Sequence, residues 1–143
     1  MNVVLTDERD VDETGLRQAL DEFDRALSTG DGAALGALFT EDGRLLLQFQ
    51  RPIEGRAAIR DHWESVFAQY EPTQWWVEYD TVEVHPVRAY VLGNFAEVLR
   101  PRAGGPAQVI SGRVVYFWRR SDDGSWHVVR ALNSHSGPPE EVP

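Results

Sequence analysis

The chain contains no cysteine and no lysine. The first absence excludes disulfides, thiolate nucleophiles and cysteine-held metals, and it suits a reducing cytoplasm, the expected location. The second leaves 14 arginines as the entire positive complement against 23 acids, for a net charge of -9. Residues 1–71 carry 15 acids and 7 arginines, and residues 72–143 carry 8 and 7, so no stretch forms a basic stripe. Without such a stripe there is nothing to displace counterions from a phosphate backbone, and nucleic acid is not an expected partner. Arg100/Arg102 and Arg119-Arg120 read as solvated rim charge near strand ends. No apolar run approaches the length of a bilayer span, and MNVVLTDERDVDE lacks a basic region followed by an apolar core, so neither a membrane nor a leader is expected. The four histidines, His62, His85, His127 and His135, show no tight ligand spacing, so no metal is expected, and no cofactor either.

What is present fits one domain of 143 residues with a sizeable core. Leu16, Ala19/Leu20, Phe23 and Leu27 recur with helical period and predict a helix over 13–28. Thr29-Gly30-Asp31 is a joint, with Gly30 suited to a left-handed cap and Asp31 to capping a second helix bearing Ala34, Leu35, Leu38 and Phe39. Glu41-Asp42-Gly43 reads as a turn before a strand over 44–50, on which Leu45, Leu47 and Phe49 share a face. Gly55 opens a third helix over 56–70, which Glu71-Pro72 ends. The rest is strand-like over 74–84, 89–99, 108–119 and 125–134, rich in Val, Tyr, Trp and Phe. Helices first and most strands afterwards predict an α+β layered fold, with three helices packed on a strongly curved mixed or antiparallel sheet. Residues 1–11 read as a flexible acidic arm that Val3, Val4 and Leu5 could dock, 12–136 as the domain, and 137–143 as a disordered tail.

The segments Leu27-Ser28-Thr29-Gly30-Asp31, Leu38-Phe39-Thr40-Glu41-Asp42-Gly43 and Ile53-Glu54-Gly55-Arg56-Ala57-Ala58-Ile59-Arg60, with Trp126-His127-Val128-Val129 after Asp123-Gly124, resemble the NTF2-like superfamily. This is the SnoaL-like or ketosteroid-isomerase-like cone fold, and the resemblance is nearest to small members that accompany enediyne and other polyketide pathways. It implies a conical sheet whose mouth the helices close around an apolar small molecule, and a homodimer through the outer sheet face. It also implies a range of functions, from cofactor-independent isomerase, cyclase or dehydratase to proteins without activity. The isomerases place a tyrosine where this chain has Phe23, a general-base aspartate near Leu47 and a second acid near Val115 or Tyr116. Phe23 cannot donate to an oxyanion and Leu47 cannot take a proton, so that residue set is not inherited.

Other residues remain for chemistry. His135 is the first candidate for proton transfer, because a histidine works near neutrality and this one ends an apolar strand. Period two puts Asn133 on its face and Arg130 with Ser134. Asn133 or Tyr116 would position a carbonyl, and Asp80 and Glu54 are reserve acids. Phe23, Leu27, Leu47, Trp63, Trp76 and Tyr79 are the expected apolar wall, with Arg113 and Arg130 as polar ligand contacts. Trp75-Trp76 and Tyr116-Phe117-Trp118 make both sheet faces apolar, one for the helices and pocket, the other for a second copy. The expected function is binding of a hydrophobic oxygenated small molecule, such as a polyketide intermediate, with possible cyclase, isomerase or dehydratase activity. The alternatives are binding or sequestration without turnover, and a structural dimerisation module.

Overall fold

The computed structural model describes residues 2–5 and 11–142. Helix α1 (Glu13–Thr29) starts where the Asp12 carboxylate accepts the Gly15 N–H at 2.9 Å, and it stops at Gly30, whose φ of +74° few other residues tolerate. Asp31 then caps α2 (Gly32–Ala37) by accepting the Ala34 N–H. Phe39, expected on that helix, instead opens strand β2 (Phe39–Leu46), which therefore starts five residues early and runs through the expected turn with a register irregularity between Phe39 and Arg44. A loop over 47–52 leads to β3 (Ile53–Glu54), and α3 (Arg56–Gln69) follows. The chain passes from α3 into β4 (Tyr70–Val84) with no loop, and Pro72 is accommodated near the start of that strand. Strands β5 (Arg88–Pro101), β6 (Ala107–Arg120) and β7 (Trp126–His135) complete a long antiparallel meander.

The sheet order is β1-β4-β5-β6-β7-β2-β3, with β1 parallel to β4 and β2 parallel to β7. The expected arm contains strand β1 (Asn2–Leu5), which pairs with Thr81–Val84; residues 1 and 6–10 of that arm lie outside the described residues. The expected disordered tail contains β8 (Glu140–Val142), antiparallel to Ala107–Val109. Both have the same physical reason: β4 at one side, and the start of β6 beyond the end of β7, present backbone groups that a passing segment can pair.

Two bulges decide what faces the helices. On β4, Trp75, Val77 and Tyr79 point inward; Asp80 is then skipped in the pairing, so Val82 and Val84 point inward next. On β7, Val129 is skipped, so the inward set changes from Trp126 and Val128 to Ala131 and Asn133. Each extra residue shifts the alternation by one and bends the strand. The curved sheet wraps α1, whose buried stripe is Leu16, Leu20, Phe23, Ala26 and Leu27. That stripe meets Val91, Phe95, Val114, Tyr116, Trp118 and Val128 in one core. Each such side chain contributes about 1.5–3 kcal/mol by leaving water. This is the α+β cone expected from the sequence.

The close approach of β6 and β7 sets a testable limit. A Cβ on Gly112 would lie 1.7 Å from the Ser134 carbonyl oxygen, whereas one on Gly137 meets nothing within 4 Å. Gly112→Ala is expected to destabilise the fold by about 3 kcal/mol or more, because backbone must move. Gly137→Ala is expected to stay within about 0.5 kcal/mol of the parent in denaturant melts.

Candidate functional site

The inward face of the sheet, together with α1 and α3, lines a pocket. Its walls are Phe23 and Leu27 from α1, Trp63 from α3, Leu45 from β2, Trp75 from β4, Phe95 and Glu97 from β5, Val114 and Tyr116 from β6, and Ala131, Leu132 and Asn133 from β7. The space open to the centre of a water-sized sphere is about 30 Å³, room for one or two waters as the side chains stand. The aromatic packing around it is dense. Phe23 meets Tyr116 with ring centres 4.8 Å apart, Trp75 stacks on Phe95 at 5.5 Å, and Trp63 stacks on Phe67 at 5.6 Å.

Polar groups on this apolar wall are few. Glu97 follows Val91 and Phe95 on the inward face of β5, and burial pushes its carboxyl up to about 7. The Trp63 indole N–H and the Asn133 side-chain oxygen are buried with no hydrogen-bond partner among the described residues. At the edge of the pocket, Asp24 lies between Phe23 and Leu27 on α1. Tyr79 donates to it at 2.7 Å and Trp75 at 3.2 Å. Burial raises the Asp24 carboxyl to about 6, although those two donors oppose the shift. The same carboxyls bear on Tyr116, whose phenol is raised well above its ordinary value by burial first, then by Asp24 and Glu97. A carboxyl that titrates near neutrality can move a proton to or from a bound molecule, the unpartnered indole N–H can hold an oxygen of it, and the unpartnered amide oxygen can accept from a hydroxyl.

The structure brings together Phe23, Leu27, Trp63, Tyr116 and Asn133 of the residues singled out in the sequence. Tyr79 faces inward but is committed to Asp24, and Leu47 packs against the core just outside the lining. The others lie elsewhere. Trp76 is 53 % exposed on the outer face, because its neighbour Trp75 takes the inward direction. Asp80 and Arg113 pair at 2.9 Å on that outer face, with Asn94 accepting a second bond from Arg113. Glu54 is exposed, 3.3 Å from Arg44, beside the groove between α2 and α3. Arg130 donates to the Val129 carbonyl and sits opposite Phe117. His135 shares the face of Asn133 but lies in a separate cleft with Gln48 and Phe49.

Sequence reasoning missed Glu97, Asp24 and Trp75. The signal for Glu97 was its place in the alternation Val91, Phe95, Glu97, Leu99; for Asp24 it was its place between two residues of an apolar stripe. Among the described residues no group of three His, Asp or Glu side chains is placed to hold a metal ion.

The Glu97 shift has a sign that stability measurements can read. An unfolded glutamate titrates near 4.5 and this one near 7, so the folded state binds the extra proton between those values. Its contribution is fully present below about pH 4.5 and is lost as pH rises through 7, a change on the order of 3 kcal/mol. Glu97→Gln is expected to remove that part of the fall in urea melts taken from pH 5 to 8. Parallel profiles for parent and variant would contradict the shift.

A family model for the SnoaL-like domain matches residues 9–131. No curated protein matches the sequence significantly. Several solved structures share the fold. A ketosteroid isomerase-like protein from Erwinia carotovora atroseptica has a TM-score of 0.78 at 21% identity, with 87% of this chain and 96% of that chain covered. A candidate scytalone dehydratase from Novosphingobium aromaticivorans gives 0.74 at 16% identity, covering 91% and 87%. An NTF2-like superfamily protein from Salmonella enterica serovar Typhimurium gives 0.72 at 14% identity, covering 87% and 91%. At these identities the likeness establishes the NTF2-like fold alone. With the family model spanning most of its length, the chain belongs to the SnoaL-like domain family.

Proposed function

We propose that the inner pocket binds a hydrophobic, oxygenated small molecule and catalyses a proton transfer on it, as an isomerisation, a dehydration or a cyclisation. A polyketide intermediate is one molecule of this description. The observation that supports the reading is Glu97, a carboxyl raised to about 7 on an otherwise apolar wall. As a carboxylate it would take a proton from carbon next to a carbonyl. The negative charge that develops on the carbonyl oxygen would meet the Trp63 N–H, which has no partner of its own. The Asn133 side-chain oxygen, itself without a partner among the described residues, would accept a hydrogen bond from a ligand hydroxyl. Glu97 thus takes the role the sequence reading gave to His135. The reading calls on no cofactor, and a neighbour in fold described as a candidate scytalone dehydratase is compatible with it.

Binding without turnover is the second reading. The Asp24 carboxylate is already bonded to Tyr79 and Trp75, which favours a structural role for that acid. The small size of the space bears on both readings, since the walls must part for any ligand. If they never part, the domain is a structural module. Turnover decides among these. With a β-hydroxy ketone as substrate, kcat/KM is expected to rise with pH through about 7, and Glu97→Gln to lower it by about 10²–10⁴ while binding persists. Ligand binding with no turnover at any pH would leave the binder, and no ligand binding would leave the structural module.

We also propose a homodimer through the outer sheet face. Tyr90 and Phe117 meet edge to face there at 5.4 Å, and Trp76 is exposed on the same face, while Trp118 is buried inside. Light scattering is expected to give about twice 16.2 kDa at micromolar concentration. Phe117→Glu should give the single-chain mass, because it sets an unpaired charge in the seam. A parent that stays at the single-chain mass at every concentration would rule the dimer out.

A further inference from the structure

Phe49 is 91 % exposed and holds φ at +66°. Both features cost stability: water surrounds a whole aromatic ring, and the left-handed region crowds Cβ against the following carbonyl. Such strain in an exposed apolar residue points to a role outside the fold's own packing.

Phe49 stands in the loop over 47–52 and borders a cleft shared with Gln48, His135, Gly137, Pro138 and Pro139. By the same measure as the inner pocket its volume is about 480 Å³. The cleft is separate from the pocket, but its lining follows the pocket's along two neighbouring strands. Asn133 and His135 lie on one face of β7, opposite Val114 and Gly112, about 7 Å apart along the strand. Asn133 lines the pocket and His135 lines the cleft. On the neighbouring β2 and its loop, Leu45 and Gln48 divide in the same way, and the Gln48 side-chain oxygen accepts the His135 backbone N–H, tying the two walls together. Between β7 and β8 the chain leaves β6 after Ser136 and rejoins it at Glu140, and this detour sets Pro138-Pro139 against the loop.

As the side chains stand, an inner space of about 30 Å³ has no room for an extended ligand, and its walls must part even for a small ring. We propose that the cleft is the outer half of the binding site. It receives an aromatic or alkyl tail from a ligand whose oxygenated head occupies the inner pocket, and Phe49 closes against that tail from one side with Pro138-Pro139 on the other. The ligand class is therefore an elongated ketone or hydroxy ketone with an apolar tail. This inference rests on the inner pocket being a small-molecule site.

The test uses two ketones that share a head, cyclohexanone and its phenyl-substituted derivative, on the full chain. Binding is read from the intrinsic tryptophan fluorescence of the chain and by equilibrium dialysis. The phenyl derivative is expected to bind about tenfold or more tighter than cyclohexanone. Phe49→Ser and Phe49→Gly should each remove that advantage and leave cyclohexanone unchanged. Phe49→Gly should also keep or raise Tm, since glycine adopts positive φ freely, which separates lost binding from lost folding. Equal affinity for the two ketones in the parent, or an advantage that survives both variants, overturns the cleft. A change of oligomeric mass in the variants with unchanged affinities overturns it too, and assigns Phe49 to a contact between copies. Cyclohexanone binding that depends on Trp63, shown by Trp63→Phe, keeps the inner-pocket reading even when the cleft fails. No binding of either ketone removes both.

Discussion

The seating of α1 in the curve of the sheet is the constraint on which the rest of the site depends. Phe23 rests on Tyr116 at 4.8 Å, and Phe39 and Trp118 each lie 6.1 Å from the same ring. With Phe23 fixed there, the next residue has little choice. Asp24 projects from the flank of the helix toward β4, where Tyr79 and Trp75 meet it. A buried carboxylate without donors would cost several kcal/mol, and two donors on one strand face offset much of that. The same contact leaves Tyr116 between Asp24 and Glu97, so the phenol and both acids share one electrostatic environment. Removing a single ring from the Phe23–Tyr116 contact would therefore alter the helix seat and the charge balance of the pocket together.

Sheet irregularities carry as much information as the regular alternation. Trp75, Val77 and Tyr79 would be followed inward by Thr81 and Glu83 if β4 were regular. The skipped Asp80 instead turns Val82 and Val84 to the core, both 0 % exposed, and leaves Asp80 outside with Arg113. On β7 the skipped Val129 turns Asn133 inward, where a regular strand continuing from Trp126 and Val128 would have offered Leu132 and Ser134. The inward placement of Asn133 is thus a product of a bulge, which shifts the alternation by one residue.

This also explains what could be read from the sequence. The three helices and four long strands were legible because their apolar periods are strong: the stripe from Leu16 to Leu27 and the aromatic-rich strands admit no other assignment. The short pieces were not legible. The segments Asn2–Leu5 and Glu140–Val142 have little pattern of their own and become strands only through edges that the long strands create. At the site, apolar walls such as Phe23, Leu27 and Trp63 followed directly from helical faces. The acids did not, because a search for chemistry favours polar residues at strand ends, and His135 and Asp80 stand out there. Glu97 is hidden inside an apolar alternation, which is the pattern that marks a buried acid. The choice between Trp75 and Trp76 required knowing the phase of β4, and adjacent tryptophans supply no phase.

The pocket's size and its polarity have to be considered together. An apolar void of about 30 Å³ would ordinarily count as a packing defect of no consequence. Here the surrounding side chains include a carboxyl raised to about 7 and two buried polar atoms without partners. Folding alone gives no reason to keep them: replacing Glu97, Asn133 and Trp63 by apolar groups of similar shape would remove three desolvation costs of about 1–3 kcal/mol each. Groups that lower stability in the empty state are accounted for when a bound molecule satisfies them, since its hydrogen bonds then return what desolvation took away. The same logic applies at the rim, where an exposed ring is held in a strained backbone conformation beside an apolar cleft. Buried polar atoms without partners among the described residues also occur away from the pocket, at Thr40 and Trp118; those of Trp63 and Asn133 differ in lining one space together with a raised carboxyl.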